Sequence, residues 1–179
     1  MVSRKLGVSR EGLSLEGHLT LTVLRPDGTV RERRTGENLV TTAGFGALAG
    51  ALVWAGIQDQ AASLGVTTPT TLTPLFGAVG DGSGTVSEAD TALFSELSRQ
   101  TVGAGASSPA TSSIAAQCTW LFYFPSPAVT WTVTEAGAFA NATSESGSGT
   151  LVDHWAFSPS VSVPVTDTLL LQISLLLGP

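Results

Sequence analysis

Charge is what this chain has least of. Asp, Glu, Lys and Arg together supply 12% of its 179 residues, about half the share of an ordinary globular domain. Hydrophobic residues reach 42%, so the shortage does not mean disorder, which combines few apolar residues with much charge. A folded chain this poor in charge points to a surface partly covered by other subunits. Cysteine is nearly missing as well. Cys118 stands alone, which excludes an intrachain disulfide and implies no oxidising compartment. Histidine is limited to His18 and His154, so few groups titrate near neutral pH. Long apolar runs are lacking: Ala43–Ile57 is short and interrupted by glycines, and Leu169–Leu177 is shorter still. A membrane-spanning helix needs about 20 apolar residues. Met1–Arg10 is basic, but no apolar run follows it, so no secretory signal is expected.

The few charges are unevenly placed. Residues 1–34 hold seven of the eight basic residues (Arg4, Lys5, Arg10, Arg25, Arg31, Arg33 and Arg34) against four acids. After residue 34 the sole basic residue is Arg99, against ten acids. The first part is thus about +3 and the remainder −9, giving the net −6. Such polarity lets a basic arm dock on an acidic neighbour, and a solvated basic hairpin explains it equally well.

Turn chemistry and alternation divide the chain. His18–Leu24 alternates Leu19, Leu21 and Val23 with Thr20 and Thr22, then meets Arg25-Pro26-Asp27-Gly28. Pro presets φ and Gly accepts positive φ, so a β-hairpin with Thr29–Arg34 is predicted. Over Thr41–Ala55, with Thr41 or Thr42 as cap, Phe45, Leu48, Ala49 and Leu52 recur at helical spacing. Gln58–Pro74 reads as a loop and Leu75–Val79 as a short buried strand. A second helix is predicted over Ser87–Ser98, where Ser87 and Asp90 resemble a capping box. Gly103–Ser113 reads as a linker. The last third is β: Cys118–Phe124, Val129–Val133, Ala136–Ala140 after a bulge near Gly137, Leu151–Phe157, Val161–Val165 and Thr168–Leu177. Apolar residues on both faces of the last strand place it centrally.

No chemistry-bearing constellation assembles from these residues. Asp153 and His154 are neighbours in a strand and point to opposite faces, so they do not form a pair. No nucleophile arrangement accompanies either histidine. Cys118 lies on an aromatic strand face with no local base to lower its pKa. Gly80-Asp81-Gly82-Ser83-Gly84 lacks the Lys of a phosphate-binding loop and the closing acids of a calcium loop, which leaves a tight strand-to-helix turn. Glu135 is a lone carboxylate that either accepts backbone hydrogen bonds or meets Arg99, and it has no partner of the kind glycoside hydrolysis needs. Asn141-Ala142-Thr143 matches a glycosylation acceptor without a secretion signal to support it. Trp54, Trp120, Trp131 and Trp155 are expected in core or interface packing rather than along a sugar. Catalytic, cofactor-binding and metal-binding residues are therefore all read as none, and no cofactor is expected.

Three stretches in order carry a resemblance. They are Glu37-Asn38-Leu39-Val40-Thr41-Thr42-Ala43-Gly44; Gly80-Asp81-Gly82-Ser83-Gly84-Thr85 followed by Asp90-Thr91-Ala92-Leu93 and Glu96; and Val133-Thr134-Glu135-Ala136-Gly137-Ala138-Phe139 followed by Gly149-Thr150-Leu151 and a closing alternating strand. This succession resembles small virion structural proteins of tailed bacteriophages, of the head-decoration, minor-tail or tail-fibre attachment type. The resemblance implies a virion component with oligomeric symmetry, assembled in the host bacterial cytoplasm, and it carries over no catalytic residue. No fibre-type repeat is present.

The expected fold is mainly β: a jelly-roll-like β-sandwich with two short α-helices and an N-terminal β-hairpin arm. The basic arm and hairpin would occupy residues 1–36, and the sandwich 37–179, with helices near 41–55 and 87–98. The expected function is a non-enzymatic capsid decoration, cement or tail-attachment protein. Its expected partners are copies of itself, as a trimer or another symmetric oligomer, and major capsid or tail proteins, with no nucleic acid and no membrane. Arg25, Arg31, Arg33 and Arg34 are the candidate assembly contacts. A tail-fibre, receptor- or glycan-binding module is the alternative, and a hydrolase is the third reading.

Overall fold

Alternating apolar runs separated by turns give eight strands in the computed structural model, which describes residues 14–47, 75–103 and 116–178. The strands are β1 (Ser14–Leu24), β2 (Val30–Val40), β3 (Phe76–Gly80), β4 (Glu96–Thr101), β5 (Ala116–Phe124), β6 (Trp131–Ala140), β7 (Thr150–Val163) and β8 (Thr168–Gly178). They pair antiparallel in the order β4-β3-β6-β7-β2-β1-β8-β5. β2 and β7 share only two pairs, Leu39 with His154 and Val40 with Asp153. The two outer strands then meet through a bridge between Val102 and Phe122, and the Gly103 N–H donates to the Leu121 carbonyl at 2.9 Å. The result is a nearly closed sheet around one interior.

That interior is filled by the apolar side of each alternating strand. Leu21, Val23, Phe122, Phe124, Val133, Leu169, Leu171 and Ile173 are fully buried there. Gly77 on β3 faces Phe122 across it, and a Cβ at Gly77 would lie 2.4 Å from the ring. Burying a side chain of this size stabilises the fold by about 1.5–3 kcal/mol. A smaller apolar cluster of Phe76, Leu93, Phe139, Ala142 and Leu151 lies on the other face of β3, β6 and β7. The segments before β4 and after β6 supply Leu93 and Ala142 to that cluster.

The hairpin forms as its turn signal predicts. Gly28 has φ +81°, the Gly28 N–H donates to the Arg25 carbonyl at 2.9 Å, and Asp27 accepts from the Thr29 N–H at 2.9 Å. It is nevertheless not a projecting arm. β1 pairs with β2 on one side and along its whole length with β8 on the other, and Leu19, Leu21 and Val23 are core residues. β2 continues to Val40 without a break at residue 36.

The first predicted helix is present over 42–47. Thr41 caps it, accepting the Gly44 N–H at 2.9 Å. Residues 48–55 of that prediction, with Trp54, lie outside the described residues, as do residues 1–13, the whole Gln58–Pro74 loop, and the linker over 103–113 except Gly103. The predicted helix over 87–98 is not formed. Ser87–Asp90 closes a turn instead: the Ser87 N–H donates to Asp90 at 2.9 Å, and the Asp90 N–H donates to the Ser87 carbonyl at 3.0 Å. Beyond it, the Phe94 and Ser95 N–H groups are taken by Glu135 and Glu96–Thr101 pairs with β3. Tertiary partners outcompete helical ones for the same donors. The predicted strands Val129–Val133 and Ala136–Ala140 merge from Trp131 onward into β6, with one register shift between Val133 and Glu135 and another between Ala138 and Phe139 rather than at Gly137.

Candidate functional site

Two regions hold the polar groups that set this fold apart. The first is buried. Glu135 on β6 is fully enclosed and accepts backbone N–H groups from Gly82 at 3.1 Å, Phe94 at 2.9 Å and Ser95 at 2.7 Å. His154 on β7 is also fully enclosed. Its Nε2 lies 2.9 Å from Glu135 and its Nδ1 2.8 Å from Asp90. The Phe94 ring tilts over the imidazole at 4.9 Å. Gly80 and Gly82 are tight against Glu135: a Cβ at either would approach Oε1 to 2.5 Å. The Gly-Asp-Gly-Ser-Gly segment is therefore neither a phosphate cradle nor a strand-to-helix turn. Its glycines let the backbone close over a carboxylate.

This network ties the 81–95 segment down onto the sheet. The imidazole is clamped between two carboxylates, so no nitrogen is left to take a proton from a nucleophile, as general-base work would require. Arg99 does not reach Glu135. It pairs with Glu96 at 2.6 Å, donates to the Thr143 and Ser148 carbonyls at 3.2 and 3.1 Å, and covers the Phe139 ring at 4.5 Å. It thereby pins the loop after β6, which includes Asn141. The sequence offers no signal for the contacts of His154, since Glu135 and Asp90 are 19 and 64 residues away.

Asp153 points the opposite way from His154, as strand alternation requires. It lies inside, accepting the Ala138 N–H at 2.8 Å and the Asn38 amide at 2.7 Å. Burial pushes its pKa up to about 7, against the pull of those two hydrogen bonds. The Asn38 Oδ1 is buried without a hydrogen-bond partner.

The second region is the outer face of β5, β8, β1 and β2. Cross-strand register places its side chains in three rungs of four. The first is Arg33, Thr22, Leu170 and Tyr123; the second is Thr35, Thr20, Gln172 and Leu121; the third is Glu37, His18, Ser174 and Thr119. Tyr123 is 51% exposed and Leu121 36%. A shallow groove crosses the middle, lined by Thr22, Arg33, Leu121, Leu170 and Gln172 among others. Within these three rungs only Arg33 and Glu37 carry fixed charges, and Glu16 follows on the same side of β1 in the next rung; a solvated sheet face usually carries many more.

The four candidate arginines separate on this surface. Arg25 is used within the hairpin, donating to Thr29 and to the Val30 carbonyl, each at 3.1 Å. Arg31 is ion-paired with the buried Asp167 of the β7–β8 turn. Arg34 pairs with Glu32 at 2.8 Å on the side of β2 away from the outer face. Arg33 alone stands on the outer face, exposed and without an ion pair among the described residues. Three of the tryptophans are accounted for by packing: Trp155 is buried and stacks on Phe157 at 4.4 Å, while Trp120 and Trp131 lie partly buried against the core. Cys118 pairs opposite Leu175 in β5, and its side chain lies outside the described part. Among the described residues, no helix is long and apolar enough to cross a membrane. No protein family and no curated protein matches this chain.

Proposed function

We propose that this chain is a non-enzymatic structural component of a tailed-phage virion, a capsid decoration or tail-attachment protein that stabilises the particle through subunit contacts. One observation carries the reading: a four-stranded face whose three rungs are built mainly from Thr, Leu, Gln, Ser and Tyr, with fixed charge only at Arg33 and Glu37. Such a face suits burial against another protein, since little charge has to be desolvated. The clamped state of His154 supports a structural role for the one buried imidazole. The ordered motifs support the phage setting, and two of them, around Gly80–Gly84 and Glu135, meet in the buried network. In this reading the nearly closed sheet works as a jelly-roll-like sandwich, its layers joined across the core where Phe122 meets Gly77.

The test is co-sedimentation. Particles of the phage that encodes the chain are banded on a density gradient and probed for it. The chain is expected in the particle band at a fixed ratio to the major structural proteins. A folded, expressed chain that stays out of the band overturns the proposal. Deleting residues 1–34 is a poor alternative, because it removes β1 and the core residues Leu19, Leu21 and Val23. The glycan-binding alternative requires exposed aromatics beside polar groups; among the described residues Phe45, Phe94 and Tyr123 are exposed aromatics, and Tyr123 is the one on the outer face. A tryptophan-fluorescence response to a glycan panel would favour it, although Trp120, Trp131 and Trp155 are committed to packing.

A further inference from the structure

We infer that the outer face of β5, β8, β1 and β2 binds a second copy of itself about a two-fold axis lying along its central rung; this rests on the assembly role proposed above and names the surface and the partner. The argument is the order of the rungs. Along β2 the outward residues run Arg33, Thr35, Glu37, so a cation and an anion flank a neutral centre. A two-fold axis along the rung of Thr35, Thr20, Gln172 and Leu121 reverses strand direction in the second copy. Arg33 then faces the second copy's Glu37, and Glu37 faces the second copy's Arg33. A self-complementary patch of this kind is what an isologous contact requires. Across the rest of the face the same operation sets Leu121 on its own counterpart, Tyr123 over the Thr119 position and Thr22 over the His18 position. No like charges are opposed anywhere on the rungs. Arg33 has no ion pair within its own chain among the described residues, and both it and Glu37 are exposed.

A displaced contact, shifted by one rung, would set the polar Thr35 against Arg33 or Glu37 and leave charges unmatched. Registration therefore comes from the ion pairs, while the neutral rungs supply the buried area. Charge pairs at an interface fix register and partner choice more than they fix raw affinity.

The experiment is sedimentation equilibrium on the full chain and three variants: Arg33→Glu, Glu37→Arg and the double swap. The wild type is expected to dimerise. Each single reversal opposes like charges twice and is expected to weaken self-association by about tenfold or more. The swap restores both pairs and is expected to return it to within about threefold of the wild type. Leu121→Lys, which sets two cations on the axis, is expected to abolish it. Far-ultraviolet circular dichroism confirms that each variant is folded. A wild type that stays monomeric to about 0.1 mM overturns the inference, as does a swap that fails to restore what the single variants lose. Gradient co-sedimentation of the same variants reads particle membership separately, so loss of the self-contact with retained incorporation overturns this inference and leaves the proposed function standing.

Discussion

Asp153 and Asp167 are both inaccessible to solvent, yet they respond to pH in opposite directions. Asp153 has burial as its dominant influence and a pKa raised from 3.8 to about 7. The folded state holds that proton more tightly than the unfolded state does. Its stabilising contribution is therefore complete below pH 3.8, declines as pH rises toward 7, and is flat above that. The span corresponds to a few kcal/mol. Asp167 is held below the usual carboxylate range, first by its hydrogen bond from Arg31. Its contribution is present above the unfolded value and is lost as pH falls through the lowered one. Urea unfolding from pH 3 to pH 8 separates the two. Asp153→Asn is expected to flatten the decline between pH 4 and 7, and Asp167→Asn to remove part of the acid-side loss. Unchanged slopes in both variants would contradict these assignments. Glu135 gives a sharper effect. Glu135→Ala leaves three backbone N–H groups without an acceptor and the His154 Nε2 without its hydrogen-bond partner, and is expected to cost about 3–5 kcal/mol in denaturant unfolding. Glu135→Gln keeps one acceptor oxygen and is expected to cost about 1–3 kcal/mol.

At the scale of elements, the 81–95 segment is the clearest dependent part. It has no regular structure and is held by the Glu135 bonds, the Asp90–His154 contact and Leu93. Glu135→Gln is expected to raise hydrogen exchange at the Gly82, Phe94 and Ser95 amides well before β1 or β8 responds. Uniform exchange across the molecule would contradict that hierarchy. Where β3 meets β5, Gly77→Ala drives a Cβ into the Phe122 ring and is expected to cost about 1–3 kcal/mol by thermal or denaturant unfolding. These elements also mark where local sequence is a sufficient guide. The hairpin is legible because Pro26, Asp27 and Gly28 determine its turn among themselves. β8 is legible because Leu169, Leu171, Ile173 and Leu175 alternate without interruption. The second helix is misread because Ser87 and Asp90 form the same reciprocal pair in a turn as in a cap, and distant groups decide between them: Glu135 takes the amide donors and His154 takes Asp90. Glu135 itself is legible as an acceptor of backbone hydrogen bonds. Its imidazole partner is not, because that contact depends on the β6–β7 register.

For the whole molecule, closure of the sheet converts a low-charge sequence into a core and one sheet face of few charges. The hairpin of the basic N-terminal part, which reads as part of a docking arm, is instead a pair of central strands, β1 and β2. Three of its four candidate arginines are engaged within the chain, and Arg33 is left on the outer face. That outcome needs the pairing of β1 with β8, a contact between opposite ends of the chain that no local pattern announces. In the proposed function it also moves the assembly contact from an arm to a sheet surface. The most direct test of the account is electron cryo-microscopy of the intact particles. The account predicts density for this eight-stranded domain repeated around a symmetry axis of the head or tail, with a low-charge sheet face turned toward a neighbouring subunit. A particle map that resolves its other components and holds no such domain would contradict it.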